Sequence, residues 1–431
     1  NTAGLHTIGK GIAGEHFDGY LGEVNFIDGL AKAPADFGET GDYGEWKPIE
    51  YSGSYGTNGF YLPFKQDYTV EGFSTVLWSG TSVQQYIGGV GFQPDFLLSK
   101  RRSGEDNGMA FDSVRGVTKR LLSNASDAEA TSTTILKSFD TDGFTVGTDG
   151  YMNYAAGNHY VAWCWDMGGS NANNTTGSIN SVVRANPSYG QSIVSWVGNA
   201  TAGASVGTGL SAAAELIIIK NRETSGSWRV HDNISGKTNG RMDLEQNYAE
   251  NTSNHQITFQ SGKWTFNSDS GQHEDWNKNN NNIIAYCFHS VTGYSKFDTY
   301  TGDGTSNGSK VITLGFEPAF VMIKCTNDTE SWWIFDNARN PLNSGTQNRL
   351  AADSNGAETT NVSTGADNIE FTSTGFKMTG SGGGTNQNNN TYIYMAFADK
   401  REYAYWLDQS GNNNDWTSNN LTESDVMVDS P

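Results

Sequence analysis

Proline is scarce in this chain, 8 of 431 residues, against 52 glycines. The same sequence carries 12 Trp, 19 Tyr and 21 Phe but few long helix-forming runs. Abundant glycine with abundant aromatics points to an all-β chain with many tight turns. Cysteine is scarcer still: Cys164, Cys287 and Cys325 are an odd number, so no disulfide framework is expected within the chain. Two of them sit in apolar phrases, Ala-Trp-Cys164-Trp and Ala-Tyr-Cys287-Phe, as a buried thiol acting as a small hydrophobe would. No CxxC or Cys/His cluster suggests zinc. Basic residues number 27 against 47 acidic ones, a net charge of −20, which argues against a nucleic-acid-binding surface. No run of 18 apolar residues exists, so a transmembrane helix is excluded and no membrane insertion is expected. The seven histidines are scattered without i, i+4 pairing, and neither a GxSxG elbow nor a P-loop occurs. The remaining picture is soluble, acidic and extracellular.

Internal repeats decide the organisation. Gly91-Phe92-Gln-Pro94-Asp-Phe96-Leu-Leu-Ser-Lys100 matches Gly315-Phe316-Glu-Pro318-Ala-Phe320-Val-Met-Ile-Lys324, with a looser copy at Gly209-Leu210 and Leu216 to Lys220. Twelve residues after each lysine stands an aspartate: Asp112, Asp232 and Asp336. Each copy closes on a strand-like run, Tyr160 to Trp165, Ile283 to Phe288 and Tyr392 to Phe397. The expected layout is a β-sandwich of about 100 residues at each of 71–169, 189–292 and 293–399, with a linker over 170–188. A connector rich in Gly and aromatics is expected over 41–70.

The lysine-to-aspartate spacing reads as a hairpin that folds back, pairing Lys100 with Asp112, Lys220 with Asp232 and Lys324 with Asp336 across strands. Such a pair contributes about 0.2–1 kcal/mol, and a ligand-binding role is the alternative. Trp228 and Trp332 each lie four residues before their aspartate, on the same strand face, where packing beside the Asp competes with a role as a sugar platform. Trp276 adjoins the Asn-rich tract 277–282. Together with Trp228 and Trp332 it is a candidate glycan contact. A second polar tract, Ser381 to Asn390, reads as a flexible loop. Asp140-Thr-Asp142-Gly143 opens like a calcium loop but lacks the distal Glu, so a hairpin turn is expected and Ca2+ is unsupported. No catalytic, cofactor-binding or metal-binding residue is assigned and no cofactor is expected.

The flanks carry a resemblance. His16-Phe17-Asp18-Gly19-Tyr20-Leu21-Gly22-Glu23-Val24, followed by Phe26-Ile27-Asp28-Gly29, resembles the closing strand of a laminin-G-like or concanavalin-A-like jelly roll. Ala33-Pro34-Ala-Asp36-Phe37 resembles the short helical turn that follows it there. By this resemblance, 1–40 is the end of one jelly roll. Tyr405-Trp406-Leu407-Asp408, Ser410-Gly411 and Asn414-Asp415 make 400–431 the opening of a further one. The chain, starting at Asn1 without Met and stopping at Pro431, is expected to be a segment of something longer. With Trp46-Lys-Pro48, Gly59-Phe60-Tyr61-Leu62 and Phe111-Asp112-Ser-Val-Arg115-Gly116, the whole resembles virion surface proteins of tailed phages, especially marine ones. That implies a non-enzymatic tail fibre, spike or surface fibre attaching to host glycans. Its partners would be other virion subunits, as a homo-oligomer (a trimer by analogy), and a host-surface receptor. The alternatives are a polysaccharide depolymerase, which would need a carboxylate pair in a groove, and a purely structural decoration protein.

Overall fold

A computed structural model describes residues 8–9, 17, 19, 21–41, 44–62, 72–235, 240–252, 257–267, 276–340, 348–360, 366–398, 410, 412 and 416. The chain is all-β, built from antiparallel sheets, and separates into two compact units: 69–400, and a smaller one made of 1–68 with 401–431.

Within 69–400 the same sandwich is built three times. In the first copy a six-stranded sheet runs Ala130–Thr131, Lys119–Leu122, Met109–Asp112, Phe96–Arg101, His159–Trp165, Phe73–Ser79. A three-stranded sheet of Leu136–Asp140, Gly143–Val146 and Gln85–Gly88 covers it. The second copy repeats the order with Met242–Asp243, Arg229–Asp232, Leu216–Asn221, Asn282–Phe288 and Gln191–Val197. The third repeats it with Leu350–Ala351, Trp333–Asp336, Pro318–Cys325, Thr391–Ala398 and Ser295–Thr301. The stretch 170–188, expected as a linker, instead supplies the strands Ala172–Asn174 and Ser181–Asn186, which extend the second copy's sheet beyond Gln191–Val197. The expected hairpin turn at Asp140-Thr-Asp142-Gly143 is present, with Asp140 opposite Gly143. The Asp142 carboxylate accepts from the Gly89 and Gly91 N–H groups there.

Each large sheet is buried on both faces. In Phe96–Arg101, Phe96 and Leu98 enter a core shared by all three copies, while Leu97 enters the core of its own sandwich. A strand with no solvent face reads as a continuous apolar run, which is why Leu216-Ile-Ile-Ile219 and Phe320-Val-Met-Ile323 show no alternation. The shared core is aromatic at its centre. Trp165 lies 5.0 Å from Phe96, 5.8 Å from Phe320 and 5.8 Å from Phe397 between ring centroids, and 6.4 Å from Phe288. Residues from all three copies therefore lose water together, so none of the sandwiches completes its burial alone. Cys164, Cys287 and Cys325 are free and buried. Burial pushes all three thiols up.

In the smaller unit Val24–Phe26 pairs with Phe60–Leu62, and Gly38–Thr40 with Trp46–Pro48. A one-turn 3-10 helix stands at Pro34–Asp36, where the resemblance placed a helical turn. Tyr51, Tyr55 and Tyr61 form its core with Ile27 and Phe37. From the C-terminal segment, Asn412 donates to the Gly56 and Gly59 carbonyls, and Trp416 meets Phe60 edge-on at 5.1 Å. The other residues of the C-terminal motif, Tyr405 to Asp408, Gly411 and Asn413 to Asp415, lie outside the described residues. So do His16, Asp18 and Tyr20 of the N-terminal one.

Candidate functional site

The lysines, aspartates and tryptophans marked by the repeat do converge, but between sandwiches and not within hairpins. The expected Lys–Asp pairs do not form. Strand register sets Asp112 opposite Phe96, Asp232 opposite Leu216 and Asp336 opposite Phe320. Each lysine sits four residues further along, on the same face but about 13 Å away at strand rise.

Each lysine reaches into a neighbour instead. Lys100 donates to the Ser354 carbonyl of the third copy. Lys220 donates to Ser126 O of the first at 2.8 Å, and Lys324 to Asn247 O of the second at 3.1 Å. The contacts close a ring: first on third, second on first, third on second. Main-chain bonds follow the same circuit, with Asp106 N–H to Asn355 O, Gly226 N–H to Ser126 O and Glu330 N–H to Asn247 O.

At the other end of the strands, each aspartate caps the turn that follows it, and Asp112 and Asp336 offer their second oxygen across the interface. Asp112 Oδ1 accepts from the Val114 and Arg115 N–H groups, while Oδ2 takes the Arg115 guanidinium and Tyr286 OH at 2.7 Å. Asp336 repeats this, with Arg339 Nε at 2.6 Å and Trp163 Nε1 at 2.9 Å. The arginines are also wired to acids from the same sandwich, Arg115 to Glu129 at 3.3 Å and Arg339 to Glu358 at 3.0 Å. Glu129 is gripped by Arg222 and Glu358 by Arg102, each through two bonds from a neighbouring sandwich. Burial works against the Arg115 charge, but Asp112, Tyr286 and Glu129 more than offset it and hold its pKa above the ordinary value. Burial likewise raises Glu358, and the Arg102 and Arg339 guanidiniums reverse the sign.

The tryptophans are closed to ligands. Trp228, Trp276 and Trp332 are 1%, 1% and 2% exposed, which removes them as glycan contacts. Trp228 Nε1 donates to Leu122 O and Trp332 Nε1 to Asp243 O, both in neighbouring sandwiches. Trp276 packs on His231, ring centroids 4.9 Å apart. Gly108 holds the first copy's equivalent of Trp228, where a Cβ would overlap Ser123 Oγ, and that hydroxyl makes the bond to the neighbour, Ala352 O.

Three asparagines went unmarked in the sequence. Asn153, Asn277 and Asn386 are each fully buried and pin the loop between the first strand of a sandwich and its outer sheet. Asn153 accepts from Thr81 N–H at 2.8 Å, Asn277 from Asn199 N–H at 3.3 Å, and Asn386 from Asp303 N–H at 3.1 Å. Two of them lie in the tracts expected to be solvated or flexible. The neighbouring Asn279, Asn280, Asn282, Asn388 and Asn389 are exposed as expected, but Asn277, Thr385 and Asn386 are 0% exposed and hydrogen-bonded.

The buried lysines make stability pH-dependent. Desolvation lowers Lys100 and Lys324 to about 8 from an ordinary 10.5. Between those values the unfolded chain binds more protons than the folded one, so stability rises with pH, by up to about 1.4 kcal/mol per pH unit for each lysine. Below pH 8 both states are protonated and the slope vanishes. Urea midpoints measured from pH 7.5 to 9.5 should therefore climb, and Lys100→Met should reduce the slope. A flat profile would show that these ammonium groups are not desolvated.

Among the described residues no group of three or more His, Cys, Asp or Glu is placed to hold a metal ion, and no helix is long and apolar enough to cross a membrane. The arrangement does mechanical work: it locks three sandwiches into a closed ring. Comparison with curated proteins and with solved structures finds no match. One family model does match, over residues 69–401, within one residue of the boundaries of the ring, 69–400. The chain belongs to that family, described as Domain of unknown function (DUF7483).

Proposed function

We propose that the chain is a non-enzymatic structural and adhesive protein of a tailed-phage virion surface, a tail fibre or spike component that attaches to host glycans. The resemblance of its flanks supports the setting. The observation that supports adhesion is a fixed loop carrying exposed apolar groups on the first sandwich. Val83 is 62% exposed and Tyr154 53%; the buried Asn153 amide donates to Val83 O, and the Tyr154 N–H donates to Tyr160 OH. Arg101 stands 5.4 Å over the Tyr154 ring. An aromatic face and a cation on a rigid scaffold suit recognition of a polyhydroxylated ligand. A purely structural role is the second reading, and the burial of Trp228, Trp276 and Trp332 favours it.

Immunogold labelling of intact particles, with a glycan array probed by the recombinant chain, tests the proposal. Fibre-tip labelling with a glycan signal that Tyr154→Ala abolishes is the expected result. Labelling along a shaft or shell without any glycan signal leaves the structural reading, and absence from particles overturns both.

A further inference from the structure

The three interfaces are not equivalent. Asp112 and Asp336 each hold an arginine three residues on, together with an aromatic N–H or O–H donor from the next sandwich. In the second sandwich the same turn exists, since Asp232 Oδ1 accepts from Ile234 N–H at 3.2 Å and Ser235 N–H at 2.7 Å. Yet the residue three positions on is Ser235, and the strand position of Trp163 and Tyr286 is occupied in the third sandwich by Met395, which has no N–H or O–H. Asp232 Oδ2 has no hydrogen-bond partner although the residue is 3% exposed, and Ser235 Oγ is also buried without one. A carboxylate oxygen left unpaired at that depth costs about 1–3 kcal/mol or more.

The other acceptors of a guanidinium are in place. Arg115 and Arg339 each donate to the carbonyl five residues before them, Ala110 O and Ile334 O at 3.1 Å. Val230 is the corresponding residue of the second sandwich, opposite Met242 as Ala110 is opposite Leu121. Glu250 holds the backbone position of Glu129 and Glu358: its N–H binds Thr326 O as theirs bind Arg222 O and Arg102 O. Thr326 thereby replaces the arginine that grips those acids from outside.

We propose that the turn at Asp232 to Ser235 is a receptor for a guanidinium group supplied from outside the chain, an arginine-like cation bound by Asp232 Oδ2 with the Val230 carbonyl and Ser235 Oγ. The chemistry is copied from two sites on the same molecule that bind a guanidinium supplied in cis, and it stands independently of the adhesive reading. The probe is guanidinium chloride at low millimolar concentration, set against equal concentrations of sodium chloride and tetramethylammonium chloride. The melting temperature of the full chain should rise with guanidinium alone, by about 2 °C at ten times its Kd. Asp232→Asn should abolish the rise. Ser235→Arg, which supplies the group in cis, should raise the melting temperature without ligand and abolish the response. No guanidinium-specific rise in the unmodified chain, or the same rise in Asp232→Asn, would overturn the assignment.

Discussion

Replacing Trp165 by alanine is expected to destabilise residues 69–400 by about 3–5 kcal/mol, and to do so in all three sandwiches at once. The ring is 2% exposed and belongs to the first sandwich, but its neighbours include Phe288 of the second and Phe320 and Phe397 of the third. Removing it opens a cavity in the one core to which every sandwich contributes. Phe144→Ala is the control. That ring is equally buried and packs on Trp78 at 5.6 Å, inside the first sandwich's own core. Both substitutions cost stability; their spatial signature differs. Amide exchange should speed up in Phe96–Arg101, Leu216–Asn221 and Pro318–Cys325 together for Trp165→Ala, and around Leu136–Asp140 and Gly143–Val146 first for Phe144→Ala. Acceleration confined to the first sandwich in both variants would mean that the three fold independently.

That cooperativity was only partly readable in the sequence. The threefold repeat, the all-β class and the closing strands were visible because strand ends and glycine turns recur at near-equal spacing. The faces were not. A strand buried on both sides, such as Leu216 to Ile219, carries no polar alternation to say which side meets a neighbour. The recurring lysines and aspartates, twelve residues apart in every copy, therefore read as hairpin partners of each other. Their real partners lie far away in sequence: Lys100 reaches Ser354, and Asp336 meets Trp163. The arginine three residues after the aspartate was in plain view at Arg115 and Arg339. Ser235 at the middle copy, however, breaks it as a repeat signal. Asn153, Asn277 and Asn386 were hidden for another reason. The first lies seven residues before its closing strand's Tyr160, the others six before Ile283 and Tyr392, and the latter two sit among asparagines that are solvated. Composition cannot separate a buried amide from exposed neighbours of the same type. The family match and the ring share their boundaries to within one residue, as expected if the ring, and not one sandwich, is the unit that folds.

The aspartates offer the sharpest contrast in energy. Asp336→Ala should cost about 3–5 kcal/mol, the range for breaking a buried ion pair by removing one partner. Both Asp336 and the Arg339 side chain are fully buried, so the substitution strands a guanidinium Nε and the Trp163 indole N–H without their acceptor. Asp112→Ala should behave alike through Arg115 and Tyr286. Asp232→Ala should be far milder, about 1 kcal/mol, because only the two turn N–H bonds to Oδ1 are lost and Oδ2 had nothing to lose. Three residues at one repeat position, all nearly inaccessible, would then differ by about 2 kcal/mol or more in urea unfolding. Removing the stranded charge as well, in Asp336→Ala with Arg339→Met, should recover part of the loss, since a buried pair replaced by apolar groups is close to neutral. Equal costs at all three positions would locate the role of these aspartates in the turn. The ring would then be held by its shared apolar core with the lysine, main-chain and Arg–Glu contacts between sandwiches.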